Sequence, residues 1–201
     1  YWRMRRSVQI SLSTFCIGRP SLLVSNSLSS FEAKSFVSSI EQLRSLLGEI
    51  QELEIRLRQI EALYLSYRAT FQNEEQRDLR DAVLLADILC NTYTGVETGL
   101  VRIARTFENH LDPEHWHREL LHKMKVEVPG IRPTVLSQST HHYLDELRRF
   151  RHFKRYYFEF DYDWERLDYM AKVLEKVFPK VLQDWKIFQE YIGECLGKLE
   201  S

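Results

Sequence analysis

Apolar residues recur every three or four positions over one long stretch of the chain, from Phe36 to Phe71. Charged residues occupy many of the positions between them, so one side of the segment is apolar and the other is polar. This spacing is typical of a long amphipathic α-helix with a seam close to a heptad repeat. The seam consists of Phe36, Ile40, Leu43, Leu47, Ile50, Leu53, Leu57, Ile60, Tyr64, Tyr67 and Phe71.

Three more segments show helical spacing, at 75–109, 141–158 and 164–198, and a short one carries the sequence WHRELLHKM. No run of alternating β-branched residues predicts a strand. Gly95 and Gly99 lie one turn apart in the second long segment, and small residues at that spacing indicate close approach of another helix. We therefore predict an all-α fold, an antiparallel helical bundle of four long helices plus one short helix.

The segments between the helices contain recognisable helix-start and turn signals. Asp112 is suited to be the N-cap of the short helix, with Pro113 at its first helical position. The sequence VPGIRP then predicts a rigid turn. Ser139 or Thr140 is predicted to cap the helix that follows.

The first 30 residues differ in composition from the rest. They contain no acidic residue, they are rich in serine, and the chain starts with Tyr1 rather than Met. We interpret 1–30 as a disordered arm, or as translation upstream of the natural start, and assign 31–201 to the bundle.

Composition excludes several functional classes. The formal net charge is −1, so an RNA-binding surface would have to be a local patch. The three cysteines, Cys16, Cys90 and Cys195, are too far apart for a CxxC site, and free thiols in a reducing cytosol are the expectation. No stretch of 18 apolar residues predicts a membrane span, so we expect a cytoplasmic protein. Histidines near the short helix match no familiar zinc spacing, and we predict neither a metal nor another cofactor.

One segment, 148–157, carries most of the chemistry. On a helix, Arg148, Arg151, His152, Arg155 and Tyr156 fall within an arc of roughly 140°. Imidazole is suited to deprotonate a 2′-hydroxyl at neutral pH, and guanidinium groups fit phosphate oxygens, so this face has the groups for metal-free RNA cleavage. The opposite side, expected to face the core, consists of Leu147, Phe150, Phe153 and Tyr157.

A structural interpretation of the same face also holds. Basic helix faces commonly pair with acids, and Glu146 and several acidic residues after it are close in sequence. Polar residues of the second long helix, Glu97 or Asn91, would orient the basic face if the two helices pack together.

Four sequence pieces in the same order resemble one known family. They are NTYTGVETGLVRIAR, WHRELLHKM, PGIRPTVLS and LDELRRFRHFKRYYFEFDYDWERL. Together they resemble the HepT-like ribonuclease toxins of the HEPN superfamily. The resemblance implies an HEPN-like helical bundle, a homodimer, RNA cleavage without metal, and an MntA-like nucleotidyltransferase antitoxin that adenylylates a toxin tyrosine.

This sequence departs from the family motif, which is Arg, four residues, His, one residue, Tyr. Counted from Arg151, the His position holds Tyr156 and the Tyr position holds Phe158. Either His152 takes over the role of the base, or Tyr156 acts at its own position, or the protein has lost cleavage and only binds. Phe158 cannot be adenylylated, which leaves Tyr156 or Tyr157 for modification.

We therefore predict a metal-independent RNA endonuclease that is the toxin of a toxin–antitoxin pair. The alternative is a catalytically inactive helical protein that docks a nucleotidyltransferase partner. The predicted catalytic residues are Arg151, His152 and Tyr156, and the predicted RNA-binding residues are Arg148, Lys154 and Arg155, with Tyr157 as a possible modification site.

Overall fold

The part of the chain that the structure describes folds into five α-helices. The structure is a computed structural model, and it describes residues 30–107, 116–156 and 162–200, with side chains for 37–107, 119–155 and 162–200. The helices are α1 (Ser30–Gln72), α2 (Leu79–Phe107), α3 (Trp116–Met124), α4 (Gln138–Tyr156) and α5 (Trp164–Glu200). No β-strand occurs among these residues, and the prediction of an all-α bundle of four long helices plus one short helix is confirmed.

The turn between α1 and α2 shifts one predicted boundary. The second helix was predicted from 75 but begins at Leu79, because residues 73–77 form a turn in which Asn73 accepts hydrogen bonds from the backbone of Gln76 and Arg77. The carboxylate of Asp78 then accepts a hydrogen bond from the backbone N–H of Arg80 at 2.8 Å, which caps the helix. The predicted cap of the short helix, at Asp112 and Pro113, lies outside the described residues, as does the predicted arm 1–30 apart from Ser30, which is the first residue of α1.

Helices α1 and α5 run antiparallel along most of their lengths. Ion pairs or hydrogen bonds join Arg44 to Glu200, Glu54 to Gln189 and Arg68 to Glu175, so the numbers fall on α5 as they rise on α1. The predicted seam residues from Ile40 to Phe71 are buried or partly buried in the core, except Tyr67, which is 41% exposed. Of the helices described, none combines the length and apolar composition that crossing a bilayer requires.

Two glycines bring α2 close to its neighbours, as their spacing predicts. A Cβ added at Gly95 would lie 3.2 Å from the side chain of Leu57 on α1. A Cβ added at Gly99 would lie 2.8 Å from the ring of Trp185 on α5. The centre of the bundle is therefore packed closely enough that a single methyl group matters.

A compact loop between α3 and α4 fixes where α4 starts. Gly130 has a φ of 80°, in the left-handed region that favours glycine, and Val128 and Arg132 form an antiparallel bridge across the turn. The side chain of Arg132 points inward and donates to the carbonyl oxygens of Lys123, Val126 and Pro133. Lys123 lies in the last turn of α3 and its carbonyl also accepts from the backbone N–H of Val126, so the Arg132 side chain ties the loop to the end of that helix.

Candidate functional site

Helix α4 carries the basic segment and is held in the bundle by its apolar face. Leu144, Leu147 and Phe150 are buried, and they pack in the core formed with α2 and α5. The cap of α4 is Ser137, whose hydroxyl accepts a hydrogen bond from the backbone N–H of Thr140 at 3.2 Å. The prediction of Ser139 or Thr140 as the cap was therefore wrong, because the helix begins at Gln138, three residues before the predicted start at 141.

Phe153 was predicted to face the core and is instead 39% exposed. Each step of three residues turns a helix by 300°, so Phe153 lies about 120° away from Leu147 around the axis. Arg166, near the start of α5, covers the ring with its guanidinium carbon 4.1 Å from the ring centroid. The aromatic ring therefore lies at the edge of the basic face. Tyr157, which was predicted on the same side, lies outside the described residues.

Asp145 anchors two of the arginines within α4. Arg148 donates to its carboxylate at 2.8 Å, and Arg149 contacts the other carboxylate oxygen at 2.6 Å. Burial acts to raise the pKa of Asp145, but the hydrogen bonds and charges of the two arginines outweigh it and hold that pKa below its ordinary value. Arg148, with 22% of its side chain exposed, is thus oriented by a neighbour three residues before it.

Arg151 is held by α2. Its Nη1 lies 3.2 Å from a carboxylate oxygen of Glu97, whose side chain is only 6% exposed. The guanidinium carbon also lies 5.5 Å from the ring centroid of Tyr93, a fully buried residue one turn earlier on α2. Burial, followed by the negative charge of Glu97, raises the pKa of the Tyr93 hydroxyl, which stays neutral.

Lys154 also faces α2, where its amino group lies 3.5 Å from Asp87. Asn91 donates to the other carboxylate oxygen of Asp87 at 2.7 Å. Asn91 therefore hydrogen-bonds the carboxylate that contacts Lys154, whereas Glu97 provides the carboxylate that contacts Arg151. Burial raises the pKa of the Cys90 thiol on the same helix, and the positive charges of Lys154 and Arg151 act against this rise.

The remaining predicted residues lie on the open side of α4 or beyond its described part. His152 and Arg155 are exposed, on the same side of the helix as Arg148. Tyr156 is the last residue of α4, and its side chain lies outside the described residues, as do Tyr157 and Phe158. The arrangement is an exposed imidazole next to two arginines, each oriented by a carboxylate on one side. A guanidinium has five N–H donors, so a group held in this way can still bind a phosphate oxygen.

Histidines also gather at the opposite end of α4. Burial, Lys125, His122 and His142 all lower the pKa of His141, and only Asp145 opposes them. Among the described residues, no three His, Cys, Asp or Glu side chains are arranged to hold a metal ion. His110 and His115 lie outside the described residues.

Some partners of the basic face were not identified from the sequence. Asp145 was missed, although its spacing of three and four residues before Arg148 and Arg149 is the spacing of helical ion pairs. Tyr93 and Asp87 were also not connected to the basic face, because nothing in the local sequence shows which side of α2 meets α4.

A family model described as HepT-like protein matches residues 84–192, just over half of the 201 residues. The match begins in α2 and ends in α5, so it includes both helices that form the Glu97–Arg151 contact. No curated protein matches the chain. No solved structure matches it either.

Proposed function

Because the chain belongs to the HepT-like family, we propose that it is a metal-independent RNA endonuclease and the toxin of a toxin–antitoxin pair. The observation that carries this proposal is the exposed His152 on the same face of α4 as Arg148 and Arg151, whose guanidinium groups are oriented by Asp145 and Glu97. Groups oriented before the substrate binds need no rearrangement when charge develops on the phosphate.

The chemistry starts with the 2′-hydroxyl of the RNA. His152 takes its proton, and the 2′-oxygen forms a bond to the adjacent phosphorus. Arg151 and Arg148 donate to the oxygens on which negative charge accumulates, with Arg155 and Lys154 binding the flanking backbone. The bond from phosphorus to the 5′-oxygen then breaks, and that oxygen takes a proton from water. The products end in a 2′,3′-cyclic phosphate and a 5′-hydroxyl.

The purified full chain, incubated with total RNA in EDTA, tests this proposal. We expect cleavage, with cyclic phosphate ends detected by mass spectrometry. His152→Ala is the best variant because His152 is exposed, and a general base contributes about 10²- to 10⁴-fold to the rate. Arg151→Lys keeps the charge but removes the planar fork, and it should also slow cleavage.

The matched control is Arg58→Ala. Arg58 is exposed on α1 and pairs with Glu54, so this change removes a surface arginine without touching α4. The Arg58→Ala variant should cleave RNA at the same rate as the unmodified chain. Tyr156→Phe separates the two candidate bases: if it stops cleavage while His152→Ala does not, Tyr156 is the base. If the unmodified chain cleaves no RNA in EDTA, the endonuclease proposal is refuted.

The partners in this proposal are RNA, a second copy of the chain and an MntA-like nucleotidyltransferase antitoxin. Light scattering checks the homodimer, and co-purification with the product of a neighbouring nucleotidyltransferase reading frame checks the antitoxin. If that enzyme adenylylates the toxin, mass spectrometry should find the added nucleotide on Tyr156 or Tyr157, since the family's tyrosine position holds Phe158.

A second function is favoured by a different observation. Arg148, Arg149, Arg151 and Lys154 each contact a carboxylate, so much of the positive charge on α4 is compensated within the chain. With Tyr156 and Phe158 at the motif positions, this arrangement also suits an inactive protein that docks a nucleotidyltransferase. No cleavage together with tight partner binding supports this function.

A further inference from the structure

Glu97 occupies a position on α2 where an apolar residue would be expected. Its neighbours on the buried face, Tyr93, Val96 and Leu100, are at most 1% exposed, and Glu97 itself is 5% exposed. A carboxylate loses its hydration in such a place and is tolerated only when it is paired. The partner is Arg151, which lies 54 residues later in the chain.

An ion pair of this kind is a poor way to stabilise a protein. The cost of removing both charges from water offsets much of their attraction, so an apolar pair of similar volume often serves stability equally well. Helix α4 is already attached by Leu144, Leu147 and Phe150. The pair does, however, restrict the direction in which the guanidinium of Arg151 points.

The surroundings of Arg151 restrict it from two sides. Glu97 accepts a hydrogen bond from Nη1 at 3.2 Å, and the ring of Tyr93 lies 5.5 Å from the guanidinium carbon. The side chain is 26% exposed, so part of it reaches solvent while α2 holds the rest. An arginine that is held in place and still has solvent-exposed N–H groups can stabilise the negative charge that develops on the phosphate in the transition state.

We propose that Glu97 is a positioning residue for RNA cleavage. It acts by fixing the orientation of Arg151, and the ring of Tyr93 limits the movement of the guanidinium toward α2. This inference rests on the proposed endonuclease function. It assigns a role in the reaction to a buried residue outside the basic helix, one that does not touch the substrate.

The test is steady-state cleavage by Glu97→Gln, which keeps the shape of the side chain and removes its charge. Misplaced catalytic groups cost about 10²-fold in rate, so we expect a loss of that order in kcat with the KM for RNA unchanged. Glu97→Asp keeps the charge and should recover part of the loss. A purely structural role would instead lower the unfolding midpoint of Glu97→Gln while leaving kcat per folded molecule unchanged, which overturns the proposal.

The chain contains a matched control. Glu175 on α5 lies beside a tyrosine and an arginine of α1: it accepts a hydrogen bond from the Tyr64 hydroxyl at 2.9 Å and contacts Arg68 at 2.9 Å. Glu175→Gln therefore breaks another Tyr–Glu–Arg cluster, one that involves neither α2 nor α4. It should leave cleavage unchanged.

A double-mutant cycle decides whether Glu97 acts through Arg151. In an Arg151→Lys background, Glu97→Gln should cause little further loss, because the group that it positions is already gone. If the two losses multiply, the proposal is overturned. If the unmodified chain cleaves RNA and Glu97→Gln cleaves equally well, only this inference fails, whereas absence of cleavage by the unmodified chain refutes the endonuclease function and this inference with it.

Discussion

Replacing Gly99 with alanine should destabilise the protein, although the same change favours a helix. The new methyl carbon would lie 2.8 Å from Cζ2 and 3.0 Å from Cη2 of Trp185, whose ring is fully buried. Such overpacking costs about 1 to 3 kcal/mol, and the gain in helix propensity is about 1 kcal/mol. We therefore expect a net loss of about 1 kcal/mol in the free energy of unfolding.

Two other glycines provide the comparison. Gly48 lies within α1, and apart from its chain neighbours and the backbone of its own helix no described atom is within 4 Å of the position of an added Cβ, so Gly48→Ala should stabilise by about 1 kcal/mol. At Gly95 the nearest atom is Cδ2 of Leu57 at 3.2 Å, the far end of a flexible side chain. Gly95→Ala should therefore fall between the other two.

Urea unfolding followed by circular dichroism at 222 nm measures all three variants, with equal m-values required for the comparison. In thermal unfolding, 1 kcal/mol corresponds to about 2 to 4 °C for a chain of this size. The expected order of stability is Gly48→Ala, then Gly95→Ala, then Gly99→Ala. If Gly99→Ala is as stable as Gly48→Ala, the close contact between α2 and Trp185 is refuted.

Two further substitutions and one labelling experiment test other parts of the structure. Gly130→Ala places a Cβ on a residue with a φ of 80°, which should cost about 1 to 2 kcal/mol in urea unfolding, and an unchanged midpoint would contradict the turn. Asp145→Asn removes a carboxylate whose pKa is lowered on folding, so the unmodified chain should exceed the variant in stability above about pH 4 and lose that advantage as the pH falls further; an advantage that grows in acid would contradict the Arg148 contact. Burial raises the pKa of Cys90, so its thiol should react with iodoacetamide much more slowly in the native protein than in urea, and equal rates would show that the site is open.

The helices were predictable because their signal is local. An apolar residue every three or four positions indicates α1 and α5 without knowledge of what they pack against. The contact of Asp145 with Arg148 is local in the same sense, since both residues lie on one helix three positions apart. The local predictions were wrong at a helix end and at the border of a buried face. Ser137 rather than Ser139 caps α4, and the side chain of Phe153 is exposed rather than in the core.

The orientation of the candidate site depends on contacts that cross the bundle. The carboxylate that holds Arg151 comes from α2, and the one beside Lys154 comes from the same helix two to three turns earlier. Their sequence positions show that both acids are on α2 but do not show which of its sides meets α4.

By itself, the sequence determined that this chain forms long amphipathic helices and that one of them carries arginines and a histidine on a common face, because the period of a helix is a property of the backbone. Only the tertiary structure decided that Glu97 is buried against Arg151 and that Gly99 admits the ring of Trp185. Those facts depend on how helices far apart in sequence rotate and slide against one another, and that is set by the packing of all their side chains together.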